Sequence, residues 1–163
     1  MRKVSEMFEM TDSRITGLMA QHGLALLRVS VGLVFLWFGF LKFFPGLSPA
    51  QNLATRTMDI LAFGLLPSQM SINILAAWEV IIGVGLLFGI FMRATLLLLF
   101  LQMLGTMTPL FLFPGEIFSH VPYAPTLEGQ YIIKNMVLIS AGIVLGSCVR
   151  GGKIVANAES VPV

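Results

Sequence analysis

The sequence predicts an all-α integral membrane protein: a bundle of four transmembrane helices with an N-terminal cytoplasmic amphipathic helix and a short outer interfacial helix. Three observations carry this. Of the 163 residues, 56% are hydrophobic and only 11% charged, against the roughly 25% charged of a soluble domain. The apolar residues fall in four runs, Leu24–Phe44, Ile72–Met92, Ala94–Phe113 and Gln130–Val149, each near the ~20 residues that cross ~30 Å of hydrocarbon. The basic residues between the runs fall mostly on one side.

Residues 1–23 form the N-terminal cytoplasmic or interfacial segment. Val4, Met7, Phe8, Ile15, Leu18 and Met19 recur there at helical spacing among charges, which predicts an interfacial helix. Polar and acidic residues (Glu6, Glu9, Asp12) precede the first apolar run, and no small-x-small site follows it. The run is therefore expected to stay in the membrane as a signal anchor. Residues 24–149 form the four-helix domain and 150–163 a short cytoplasmic tail expected to fray. Arg2, Lys3, Arg14, Arg28, Arg93, Arg150 and Lys153 lie at one side, against Arg56, Lys42 and Lys134 toward the other. The positive-inside rule then puts both termini in the cytoplasm, and a bacterial cytoplasmic membrane is the expected location.

The two outer loops differ. Ser48–Pro49 offers an N-cap with proline at the first helical position, and Leu53, Ile60, Leu61 and Gly64 mark an apolar face up to Pro67. A short helix lying in the interface is expected there. The loop Pro114–Gly129 holds Pro114, Pro122 and Pro125 with Phe118, His120 and Tyr123. Its prolines speak against regular structure, and its aromatics suit a cap at headgroup level.

Several chemistries have no support. His22 and His120 sit at opposite ends, so bis-histidine haem does not fit. No His, Cys or carboxylate spacing suits a metal. Gly83-x-Gly85 lies inside an apolar helix and is no nucleotide motif. The single cysteine, Cys148, has no partner for a disulfide or thiol relay and reads as small apolar packing. Basic stripes with interleaved aromatics are absent, so nucleic acid is not a partner.

What remains is charge at membrane depth. Lys42, Glu79 and Lys134 lie inside apolar runs, where an unpaired charge costs from about 3 to above 10 kcal/mol. At 1.5 Å per residue Glu79 lies roughly 10–12 Å and Lys134 roughly 6–8 Å below the outer boundary, with Lys42 nearer the edge. Ala76, Glu79 and Gly83 share one stripe; Asn135, Gly142 and Gly146 share another beside Lys134; Gln102, Gly105, Thr106 and Pro109 share a third. Pro109 cannot donate to the Gly105 carbonyl, so a kink is expected there. Lys42 is expected to snorkel to the interface. Glu79 and Lys134 form either the polarising pair of a ligand pocket or an interhelical ion pair. Lys42, Glu79, Lys134, Asn135, Gln102 and Thr106 are the candidate ligand-binding residues, with Gln102 and Asn135 equally suited to hold helices together. Gly142-x-x-x-Gly146 allows close packing within the bundle or between protomers, so a homo-oligomer is open. No catalytic residue can be assigned.

LLRVSVGLVFLWFGFLKFF (Leu26–Phe44), AAWEVIIGVGLL (Ala76–Leu87) and YIIKNMVLISAGIVL (Tyr131–Leu145) resemble the first, second and fourth helices of the DoxX-like superfamily of small four-helix membrane proteins. Leu104–Thr108 with Pro109 is similar to the third helix of its reactive-chlorine-resistance branch. The resemblance spans Leu24 to Val149 and rests on the order K…E…TP…KN. It implies membrane complexes with redox enzymes, including one linked to thiosulfate:quinone oxidoreductase, and oxidative-stress defence. A more distant relation is a eukaryotic cargo receptor, whose dilysine ending differs from SVPV here.

Two functions stand from this reading. One is a membrane subunit of a quinone-linked redox or oxidative-stress system, with a bound quinone, no intrinsic cofactor, and a redox-enzyme partner. There Glu79 and Lys134 polarise the headgroup, Lys42 and Asn135 donate, and Gln102 and Thr106 line the pocket. The other is a non-enzymatic scaffold or small-solute permeation protein in which Glu79 and Lys134 are an ion pair or a pathway element. A stress-induced membrane protein without any ligand is a third.

Overall fold

The structure, a computed structural model, describes residues 2–48, 51–152 and 154, with the side chains of residues 2–8 and 10 outside what it describes. The chain runs α1 (Arg2–Leu41), α2 (Gln51–Leu61), α3 (Ser68–Phe88), α4 (Met92–Met107), α5 (Pro109–Leu112), α6 (Pro114–Ile117), β1 (Phe118–His120), β2 (Ala124–Pro125) and α7 (Leu127–Cys148). Four stretches are long and apolar enough to cross a membrane: Thr11–Leu41, Ser68–Phe88, Met92–Leu112 and Leu127–Cys148. The fold is the expected all-α membrane bundle.

Each span owes its limits to identifiable residues. α1 stops after Leu41 in turns that lead through Pro45 to Gly46, whose φ of 82° is left-handed. α3 starts immediately after Pro67 and ends at Gly89, also left-handed (φ 68°), whose N–H bonds the Gly85 carbonyl. The turn to α4 is therefore Gly89–Phe91, and Arg93 falls in the first turn of α4. The expected helix ends at Met92 and Ala94 are corrected accordingly: a glycine free to take positive φ stops the helix earlier than the apolar run does. α7 starts at Leu127 because Thr126 caps it, its hydroxyl accepting from the Gly129 amide at 3.2 Å.

The break after Met107 falls where Pro109 predicts it. The Gly105 carbonyl, denied a donor by Pro109, accepts from the Thr108 hydroxyl at 2.7 Å and the Thr108 amide at 3.2 Å. Polar backbone inside a membrane is thus satisfied locally.

Two expectations need correction. The N-terminal segment is not a separate interfacial helix: α1 runs unbroken from Arg2 into the span, with no glycine or proline break strong enough to end it. The side chains of Val4, Met7 and Phe8, the start at Pro49 and the tail from 155 onward lie outside the described residues. The short helix expected in this loop forms as α2, which buries Leu53 and Thr57 and leaves Ile60 and Leu61 exposed. The proline-rich loop is regular after all: it forms the one-turn α6 and the antiparallel hairpin β1–β2. Pro114 starts α6, Pro122 lies in the hairpin turn and Pro125 is on the two-stranded ribbon, positions where proline is tolerated.

The core joins Val31 and Phe35 of α1, Ile82 and Leu86 of α3, Leu96, Leu99 and Met103 of α4, and Ala141 and Leu145 of α7. α1 packs most extensively on α3, α3 also meets α2 and α4, and α4 packs on α7, which also touches α1. A second cluster of Leu53, Ile117 and Ile132, with Met107, Leu110, Phe113 and Phe118 around it, closes the hairpin end of the bundle. The outward faces are as apolar as the inner ones: Trp37, Leu97, Leu104 and Val137 are each more than half exposed. Helices apolar all round suit lipid rather than water.

Candidate functional site

The α1–α3 seam is built from glycines. A Cβ at Gly83 would fall 2.5 Å from the Leu36 backbone nitrogen, and one at Gly32 would fall 3.0 Å from the Leu86 Cβ. Small residues at these points let the two backbones approach closely. Arg28 fixes the register at one end, donating from Nη1 to the Leu86 and Leu87 carbonyls, the latter at 3.0 Å. These are among the last carbonyls of α3, left without helical donors. α4 is locked to α3 by Trp78, whose Nε1 donates to the Leu98 carbonyl at 3.1 Å.

This frame brings three polar side chains together. Glu79, 7% exposed, lies at the middle of α3, 79 − 68 = 11 residues from its start, or about 16 Å along it. That is further in than the sequence suggested, because α3 begins at Ser68 rather than Ile72. Lys42, in the turn after α1, donates from Nζ to Glu79 Oε2 at 2.6 Å and makes a longer contact, 3.4 Å, with the Phe38 carbonyl. Gln102 of α4, 6% exposed, donates from Nε2 to Glu79 Oε1 at 2.7 Å. Both carboxylate oxygens are thereby engaged, one by the turn after α1 and one by α4. The Gln102 Oε1 is buried with no hydrogen-bond partner. Turning the amide over would set that oxygen against the carboxylate, so the hydrogen bonding itself fixes the orientation.

The other candidates stand apart. Lys134 is exposed on α7, its Nζ 5.9 Å from the centroid of the Tyr131 ring, and it makes no ion pair with Glu79. Asn135 is half-buried and has no hydrogen bond to the triad. The Thr106 hydroxyl is spent on its own helix, donating to the Gln102 and Met103 carbonyls. The partner of Glu79 is thus Lys42, not Lys134, and Lys42 turns inward rather than snorkelling outward. The reason is Gly39, which faces Glu79 and carries Lys42 one turn further along the same seam. Gly142 faces Leu99 and Phe100, and Gly146 faces Leu96, so both serve the α4–α7 contact inside the bundle.

Two contributors escaped sequence reasoning. Arg28 counted only toward orientation, though a lone arginine near the end of one span and level with the next turn is a signal for carbonyl capping. Arg56 pairs with Glu116 at 2.8 and 3.0 Å and lies 4.4 Å over the Phe113 ring, clamping α2 to α6. An open cleft of about 540 Å³ beside this clamp is lined by Gly46, Ser48, Gln51, Asn52, Leu53, Glu116 and Glu128. Among the described residues no three His, Cys, Asp or Glu side chains come together as a metal cluster.

Four apolar spans around a buried, hydrogen-bonded polar triad define a small integral membrane protein. The DoxX family pattern matches residues 23–115, more than half of the chain, and the chain belongs to the DoxX family. The matched region contains Lys42, Glu79 and Gln102 and stops short of Lys134. No curated protein matches the chain, and no solved structure does.

Proposed function

We propose that this DoxX-family protein is a membrane subunit of a quinone-linked redox or oxidative-stress-defence system, placed in a bacterial cytoplasmic membrane with both termini in the cytoplasm. Its ligand site is the Lys42–Glu79–Gln102 triad, with Lys134, Asn135 and Thr106 outside it. The observation that carries the reading is the buried, unpartnered Gln102 Oε1. A buried acceptor without a donor costs about 1–3 kcal/mol, which a hydroxyl-bearing ligand recovers.

The residues fit such a group. An ammonium has three donors; Glu79 and Phe38 take two of Lys42's, leaving one for a ring carbonyl. Gln102 Oε1 would accept from a hydroxyl of the reduced, quinol form. When bound, a quinone supplies coupled electron and proton transfer. Glu79 holds a proton or releases it between Lys42 and Gln102, and the surrounding hydrocarbon excludes water and strengthens each polar contact.

The test is to purify the protein in native lipid and identify co-purifying small molecules by mass spectrometry. The wild type is expected to retain a quinone that Glu79→Gln and Gln102→Leu lose and that Lys134→Met keeps. Equal retention in all four, or none in any, defeats the proposal.

A scaffold reading has one observation in its favour: both Glu79 oxygens are already satisfied by the protein. On that reading, Lys42→Met with Glu79→Leu leaves the cellular phenotype intact.

A further inference from the structure

Lys134 presents its charge on the outside of the bundle. Tyr131, Lys134 and Asn135 are spaced i, i+3, i+4 and share one face of α7; Tyr131 and Lys134 are exposed and Asn135 half-buried. Among the described residues the ammonium has neither ion pair nor hydrogen bond within the chain. Lys134 is 134 − 127 = 7 residues from the first residue of α7, or about 10 Å into the span. On a soluble helix, water would solvate it; on a lipid-facing surface another group must.

The direction of the side chain says where that group lies. Nζ sits over the Tyr131 ring, one turn nearer the hairpin end, so the stem runs back along the helix toward its N-terminus, as helical side chains do. The charge therefore climbs from its Cα toward the interface, the level that tyrosine favours. An anion waiting there is a lipid phosphate.

We propose that Tyr131, Lys134 and Asn135 seat the headgroup phosphate of an anionic phospholipid at the hairpin end of α7, with an acyl chain passing the exposed Val137. Lys134 supplies the charge, the Asn135 amide supplies a second donor, and the Tyr131 ring holds the lysine stem in place. A partner protein's carboxylate fits less well. It would have to enter hydrocarbon at its own cost, whereas phosphates already crowd the level to which Nζ points.

The test is native mass spectrometry of the full chain in mild detergent, titrated with phosphatidylglycerol. Lys134→Met and Lys134→Gln are expected to bind it about fivefold more weakly than wild type, and Lys134→Arg to retain it, since a guanidinium also grips phosphate. Because Lys134 makes no hydrogen bond within the chain, these variants are expected to fold, with circular dichroism as the check. Equal binding by wild type and both neutral variants overturns the proposal. So does displacement of the lipid by inorganic phosphate, which would make the ligand a soluble anion. So does unchanged lipid binding with loss of a co-purifying membrane protein in both neutral variants, which would make the surface a protein interface.

Discussion

Gly39 of α1 lies so close to Glu79 of α3 that a Cβ on residue 39 would fall 2.7 Å from the Glu79 Cβ and 3.0 Å from the Val80 amide nitrogen. Hydrogen alone fits. Lys42 follows three residues later and on the same side of the chain, so the contact that excludes a side chain at 39 is the one that delivers the ammonium to the carboxylate.

Gly39→Ala is therefore expected to push α1 off α3, lowering stability by about 1–3 kcal/mol. Gly17→Ala is the matched control, because nothing lies within 4 Å of a Cβ there; it should be neutral or slightly stabilising. Thermal unfolding in one detergent compares them. Equal midpoints would show that the seam is looser than the geometry says.

Removing one member of the buried pair is a different perturbation. Lys42→Met alone leaves a carboxylate held only by Gln102, and Glu79→Leu alone leaves an unpaired ammonium; each is expected to cost about 3–5 kcal/mol. The double variant should recover most of the loss, since neither charge remains to be solvated. A double-mutant cycle reads the coupling, and strict additivity of the two single losses would contradict the contact.

Arg28 is expected to matter more than its place at a helix flank suggests. Arg28→Met strips the Leu86 and Leu87 carbonyls of their donor, at about 1.5–3 kcal/mol for a charged hydrogen bond. Limited proteolysis or amide exchange at Gly89–Phe91 should register the loosened end of α3. Protection equal to wild type at that turn would count against the cap.

The Arg56–Glu116 pair makes the opposite case. Its side chains are 53% and 50% exposed, and such pairs contribute no more than about 1 kcal/mol. Arg56→Ala should shift stability by less than Gly39→Ala and lose even that effect in high salt. A larger loss would mean that the Phe113 contact, rather than the ion pair, holds α2 down.

Much of this architecture was legible in the chain. Apolar run length placed the four spans, and the stripe Ala76–Glu79–Gly83 marked the face of α3 that meets α1. Pro109 marked the break in the third span. What the residues could not disclose was which helices are neighbours at the depth of Glu79. Lys42 and Lys134 both had plausible heights, and height along a helix says nothing about rotation around it. Gly39 held the missing information, yet a glycine in an apolar run does not name the residue it faces. The hairpin escaped for a local reason: prolines at helix starts, in turns and at ribbon edges are readily tolerated, so their number was a poor guide to disorder in that loop.

The unbroken length of α1 has a mechanical consequence. Forty residues of continuous helix make a shaft about 60 Å long, with Ile15, Leu18 and Met19 exposed in its N-terminal half and Lys42 fastened to Glu79 just past its C-terminal end. A shaft without a joint transmits torque. Its C-terminal half is keyed into α3 at Gly32, Gly39 and Gly83, so it cannot roll about its axis without breaking that seam and the Lys42–Glu79 contact together.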